Sequence, residues 1–154
     1  MKIKLRLEGA FQAWGVPSEY VLRNTSNMPT ARGVVGLIGC CMGISRGDSK
    51  LEVLQNVLNI TFSTEKVGRI LRDFQTVSKS DGSDLDKASD SGDKKKNIVI
   101  YKSYINDASF IAHIEGPDDI VMKIYKALLD PVWVPYLGRK NCSPTEPLIP
   151  EIEE

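Results

Sequence analysis

The sequence has 154 residues, and its 20 Lys and Arg side chains are balanced by 20 Asp and Glu side chains, so the formal net charge is zero. A chain of this length is expected to fold as one domain, and its total charge gives no indication of a nucleic-acid or membrane partner. Since it has no run of 18 apolar residues and no apolar leader, we expect a cytoplasmic protein without a membrane-spanning segment.

Residues 2–8 alternate between charged and apolar side chains, a pattern that predicts a half-buried β-strand. Its charged face carries three cations that we call the basic row: Lys2, Lys4 and Arg6. Such a row can contact a phosphate backbone, and an ordinary solvated sheet face explains it equally well.

Residues 30–43 are almost wholly apolar and predict a helix with Thr30 as its N-cap. Three glycines at a spacing of three, Gly33, Gly36 and Gly39, each cost about 0.5–1 kcal/mol relative to alanine inside a helix. We therefore expect all three to pack closely against another element, a β-sheet in the first instance. On that expectation, Gly36→Val overpacks the fold.

The rest of the chain shows both helical and strand periodicities. They predict helices over residues 49–58 and 119–129, strands over 59–65, 66–77, 98–102 and 104–115, and a possible strand over 132–137. Residues 78–97 are too polar to pack and predict a long flexible insertion. Residues 148–154 form an acidic tail that we expect to be loosely held.

This order of elements predicts an α+β fold with the ferredoxin-like plan β-α-β-β-α-β, formed by a single domain over residues 1–147. In that plan the helices cover one face of the sheet and leave the other open. RNA-binding sheets of this kind use the open face.

The sequence has no nucleotide-binding loop, no nucleophile elbow and no metal-binding motif. Its three cysteines, Cys40, Cys41 and Cys142, lack a zinc-ligand spacing, so we expect reduced thiols and neither a metal nor a cofactor. The single histidine, His113, lies within a predicted strand, where a structural or merely exposed role is the more common one.

A metal-independent ribonuclease remains an alternative. It needs a base to activate a 2′-hydroxyl and an acid or cation near the scissile phosphate. His113, Lys102 and Tyr20 are the candidates, although nothing in their spacing demands this chemistry. From the residues alone, binding is favoured over catalysis.

Several motifs in register resemble the CasD family, the RAMP-superfamily subunit of the type I-E CRISPR Cascade complex. They lie at residues 9–15, 23–25, 29–39, 73–77, 104–110 and 136–144. Relatives usually continue past the Gly138-Arg139-Lys140 turn into a C-terminal extension.

The resemblance implies a non-catalytic RNA-binding subunit of an antiviral complex. Such a subunit holds the 5′ handle of the CRISPR RNA and packs on the backbone and large subunits of Cascade. Residues 78–97 would then be the thumb that reaches over the RNA. Type I-C relatives instead process precursor CRISPR RNA, which keeps the endoribonuclease alternative open.

The resemblance also assigns candidate RNA-binding residues. Gln12 and Trp14 would make contacts from the loop. Near the start of the glycine-containing helix, the candidates are Arg23, Thr25, Thr30 and Arg32, with Arg46 beyond its end. Phosphate contacts are expected from Lys102, Arg139 and Lys140.

Overall fold

The structure, a computed structural model, describes residues 1–18, 21–78 and 97–153. It is a mixed α/β fold. The strands are β1 (Lys2–Gln12), β2 (Trp14–Gly15), β3 (Leu22–Arg23), β4 (Thr25–Ser26), β5 (Asn59–Lys66), β6 (Arg69–Ser78), β7 (Asn97–Glu115) and β8 (Glu151–Glu153). The helices are α1 (Ala31–Met42), α2 (Ser49–Val57) and α3 (Asp118–Leu129).

Strand β7 is the centre of the main sheet. Residues 98–102 and 104–115, predicted as separate strands, are parts of this one element. Strand β1 pairs antiparallel with β7, from Lys2 opposite Glu115 to Gln12 opposite Ile105. Strands β5 and β6 pair with successive parts of β7, and the short β3 pairs parallel with its first part.

The partner of β7 changes from β5 to β6 near Asp107, whose backbone adopts the left-handed conformation at φ 57°. Aspartate tolerates this region better than most residues. Gly68 lies opposite the same point, and a Cβ there would come within 2.8 Å of the Ala108 Cβ. Asp107 and Gly68 thus allow the long strand β7 to pair with both β5 and β6.

The core lies between the sheet and the helices. The alternation predicted for residues 2–8 is confirmed, because Ile3, Leu5 and Leu7 are fully buried. They pack in one cluster with α1 and α3, through residues such as Ile38 and Ile124. Helices α2 and α3 and strands β5 and β6 also lie close to their predicted positions.

Helix α1 begins as predicted, since the Thr30 side chain accepts a hydrogen bond of 3.2 Å from the Gly33 N–H. The prediction for its glycines is only partly right. A Cβ at Gly33 would meet the Trp14 ring at 2.7 Å, and one at Gly39 would overlap the Leu51 side chain. Gly36 is exposed with nothing within 4 Å of its Cβ position, so the expected overpacking by Gly36→Val is wrong.

The acidic end is ordered, contrary to expectation. Glu151–Glu153 form β8, which pairs antiparallel with the start of β1. Two of its glutamates reach cations of the basic row, as described below. The tail is therefore an edge strand of the main sheet.

Residues 132–137, a possible strand by sequence, have no regular secondary structure. Backbone hydrogen bonds nevertheless fix this segment at both ends. Val132 donates to the Cys41 carbonyl at 2.9 Å, and Leu137 accepts from Ala13 at 3.1 Å. The segment therefore lies along α1.

No helix within the described ranges is long and apolar enough to cross a membrane.

Candidate nucleic-acid interface

A groove of about 650 Å³ lies between α1 and residues 132–143. Its α1 side includes Gly33, Gly36 and Cys40, which share one face of the helix at spacings of three and four. Since Gly36 presents no side chain, helix backbone is accessible at this point. We call this space the glycine groove.

The opposite wall of the glycine groove is apolar and aromatic. It includes Trp133, which is 46% exposed, together with Val134 and Tyr136. The Cys40 thiol donates a hydrogen bond of 3.4 Å to the Val134 carbonyl and so ties this wall to the helix. Burial raises the pKa of Cys40, which favours the protonated donor.

Of the residues in the described ranges that line the glycine groove, only Arg46 and Lys140 carry a charge, and both are cations. No carboxylate is among the described lining residues, although the chain has as many acids as bases. An aromatic wall with cations in the same groove can bind a ligand that combines flat rings with negative charge.

The basic row differs in having a carboxylate beside each cation. Lys2 lies 3.4 Å from Glu153, Lys4 lies 2.9 Å from Glu151, and Arg6 lies 2.9 Å from Glu65. Hydrogen bonding to Glu151 raises the pKa of Lys4. The basic row predicted from the sequence is present, but glutamates of β5 and β8 neutralise its charge.

The structure places Gln12 and Trp14 in the interior, so the expectation that they contact RNA from a loop is corrected. Both are 0% exposed. The Gln12 amide donates to the carbonyls of Leu7 and Ala108 at 3.0 and 2.9 Å and accepts from the Trp14 indole N–H at 3.0 Å. These hydrogen bonds satisfy the buried amide of Gln12. Trp14 is one of the residues that line the glycine groove.

Two threonines act through the backbone. Thr25 accepts a hydrogen bond of 2.8 Å from the Trp14 N–H, which holds β4 against β2. Thr30 caps α1. Arg32 is exposed in the first turn of that helix, outside the glycine groove.

Arg139 joins two other candidates. Its guanidinium donates to the carbonyls of Ser103, Arg23 and Asn24 at 2.9, 3.1 and 3.4 Å and stacks on Tyr104 at 4.9 Å from the ring centre. Arg23 lies beside Lys102 in the pairing of β3 with β7. Arg139 thus fixes β3 to the sheet, and three predicted cations share one region beside the groove.

The ribonuclease candidates are not brought together. His113 lies on the open sheet face, with Nδ1 2.9 Å from Glu153 and Nε2 3.0 Å from Ser63 Oγ. Lys102 lies on the same strand eleven positions away, roughly 35 Å at the usual rise per residue. Tyr20 lies outside the described residues.

Among the described residues, no group of three or more His, Cys, Asp and Glu side chains could hold a metal ion. The three cysteines are free thiols, and burial raises the pKa of Cys41 to about 11.

The sequence reasoning missed the aromatic wall of the groove. Its signal was present, because residues 131–135 place Val132, Trp133 and Val134 between two prolines with no polar residue to alternate with them. An apolar run that belongs to no helix or strand is either packed or part of a binding surface.

Residues 2–154 match the protein family described as CRISPR-associated protein (Cas_Cas5). The chain belongs to this Cas5 family. It is 34% identical to the CRISPR system Cascade subunit CasD of Escherichia coli strain K12, over 94% of this chain and 67% of that relative. The predicted resemblance to CasD is confirmed.

Two solved structures are also similar to this Cas5-family chain. A chain of a CRISPR RNA-guided surveillance complex shares 30% identity with it at a TM-score of 0.77, and a chain described as a Cas protein shares 24% identity at 0.68. Each match covers 97% of this chain and 62% of the other, so this chain spans less than two thirds of their length. The second match supports the fold alone.

Proposed function

We propose that this chain is a non-catalytic RNA-binding subunit of a type I-E Cascade complex and holds the 5′ handle of the CRISPR RNA for antiviral defence. The observation that carries the proposal is the glycine groove, where the charged residues among the described lining residues are the cations Arg46 and Lys140. Family membership and the likeness to a chain of an RNA-guided complex support it.

Single-stranded RNA matches the chemistry of this groove. Its phosphates need cations, and its unstacked bases need flat apolar or aromatic surfaces. Both are present within one cavity, with Trp133 and Tyr136 on the wall. Arg23, Lys102 and Arg139 lie together next to the groove, where β3 pairs with β7.

The proposed partners are the CRISPR RNA and the backbone and large subunits of Cascade. Because the net charge is zero and the basic row is balanced by carboxylates, we expect only modest affinity for RNA from this chain alone. Contacts shared with neighbouring subunits would supply the rest.

We also propose that the fold is a ferredoxin-like RAMP domain. The elements β1, α1, β5, β7, α3 and β8 occur along the chain in the order β-α-β-β-α-β, and the strands β3 and β6 of the main sheet and the helix α2 are additional to this plan. The proposed thumb, residues 78–97, falls almost wholly outside the described residues.

Coexpression tests the function. The chain would carry an affinity tag and be produced with the Cascade subunits and a CRISPR array, after which the ends of the copurified RNA are sequenced. We expect mature RNA with one defined 5′ end, together with the backbone subunit. Recovery of the chain free of RNA would contradict the proposal.

The ribonuclease alternative has a separate test. Repeat RNA is incubated with the purified chain in EDTA. We expect no discrete cut, since His113 and Lys102 lie far apart on β7. A cut that is lost in both His113→Ala and Lys102→Ala would overturn the non-catalytic assignment.

A further inference from the structure

Gly36 is the only one of the three regularly spaced glycines in α1 without a packing reason. Gly33 contacts the Trp14 ring and Gly39 contacts Leu51, so a side chain at either position needs its neighbour to move. Gly36 has open space beyond it and could carry a side chain. A glycine at this position destabilises the helix, and no close packing contact compensates for that cost.

The space in front of Gly36 is the glycine groove. With no Cβ in the way, a flat ligand can approach the backbone of α1 by about the thickness of a methyl group more closely than at an alanine. The same cavity is lined by Trp133, which is 46% exposed and can offer an aromatic surface. The groove thus combines a bare stretch of helix backbone with an aromatic wall.

We propose that the glycine groove holds one unstacked nucleobase of the bound RNA, flat against α1 at Gly36 and facing Trp133. The flanking phosphates are placed at Arg46 and Lys140, the two charged side chains among the described residues that line the groove. The assignment rests on the proposed RNA-binding function and adds that a base, rather than the sugar-phosphate backbone, fills the groove. The volume of about 650 Å³ is in the range of pockets that enclose a small organic ligand.

An abasic scan tests the assignment. The full chain is assembled with the Cascade subunits on handle RNAs that each lack the base at one position, and the dissociation rate of the RNA is measured. We expect one abasic position to speed dissociation about tenfold or more, because stacking on an aromatic side chain is lost there. A scan in which every position has the same small effect would overturn the base assignment.

Gly36→Leu is the matching protein variant. Its side chain enters open space, so we expect the melting temperature to be maintained while the groove is filled. Dissociation from intact handle RNA should speed up about tenfold or more. With the critical abasic RNA it should change little further, because the same contact is removed twice. Fully additive effects would contradict the proposal.

Trp133→Ala is a second variant that leaves α1 unchanged. It should show the same insensitivity to the critical abasic position as Gly36→Leu. If the wild-type assembly binds no RNA, the proposed function fails and the base assignment fails with it. If the wild type binds RNA and both variants bind it equally well, only the base assignment is overturned.

Discussion

The basic row and the glycine groove contain the same kinds of cation in opposite surroundings. Each cation of the basic row lies within 3.4 Å of a carboxylate, as Lys4 does with Glu151. Among the described residues, Arg46 and Lys140 have no such ion pair, and the groove that they line has no acid. An anion therefore has to compete with glutamates at the row, whereas it meets uncompensated charge in the groove. The number of cations in a stretch of sequence does not distinguish the two cases.

The largest effect should come from Gly138→Ala, which breaks the groove and leaves the row in place. Gly138 has φ 88°, and a Cβ there would overlap the carbonyl of Ala13. Because both a strained backbone and a backbone clash result, we expect a loss of about 3 kcal/mol or more in the free energy of unfolding. Urea denaturation of the purified chain measures it.

Gly15→Ala is the control for this stability measurement. Gly15 also lines the groove, but nothing lies within 4 Å of its Cβ position. Its free energy of unfolding should stay within about 0.5 kcal/mol of wild type. Equal losses in the two variants would show that the segment around Gly138 is not packed as described.

Paired charge removal compares the two regions directly. Replacing Arg46 and Lys140 by alanine should weaken RNA binding by the Cascade assembly about 10- to 100-fold and lower the salt slope by about 1.4. Replacing Lys2 and Lys4 removes the same formal charge, but we expect little effect because β8 already neutralises them. Filter binding at several salt concentrations measures both. Equal losses would remove the distinction between row and groove.

The smallest effect concerns pH and belongs to the row alone. The hydrogen bond with His113 lowers the pKa of Glu153 from its ordinary value of 4.5, and the hydrogen bond from Ser109 lowers that of Glu65. A lowered pKa in the folded state stabilises the fold above the ordinary value, and this contribution is lost as the pH falls through the folded-state pKa.

We therefore expect the melting temperature to fall as the pH is lowered from about 6 to below 4. The fall should be smaller in the double variant Glu65→Gln, Glu153→Gln, which lacks both titrating groups. Thermal melts across this range make the comparison. An identical pH profile in the variant would show that these ion pairs do not hold β5 and β8 to β1.

Local patterns were enough to predict much of the fold. Alternation located β1, and helical spacing located α2 and α3, since each element buries one regular set of apolar residues against the same core. Thr30 was recognisable as a cap because capping is a local interaction. Family resemblance added candidate cations, of which Arg46 and Lys140 line the groove.

The features that could not be predicted from the sequence depend on tertiary contacts. A glutamine in a loop motif usually indicates a surface role, but the Gln12 amide is buried and bonded to the carbonyls of Leu7 and Ala108 and to the Trp14 indole, and the Ala108 contact is 96 residues away in sequence. Gly33 and Gly36 are alike in sequence, and only the position of Trp14 separates them. Strand β8 is too short to show a pattern, and what identifies it in the structure is its pairing with β1, where Glu153 and Glu151 reach Lys2 and Lys4.

The pairing of β1 with β7 constrains the order in which the protein can form during synthesis. Strand β1 leaves the ribosome before β7, and its partners in β7 run up to Glu115, the last residue of that strand. Until then Ile3, Leu5 and Leu7 have no sheet to join and stay exposed on the nascent chain. We expect β1 on ribosome-bound chains to become resistant to protease only after residue 115 has left the exit tunnel, although β1 itself is made about 100 residues earlier.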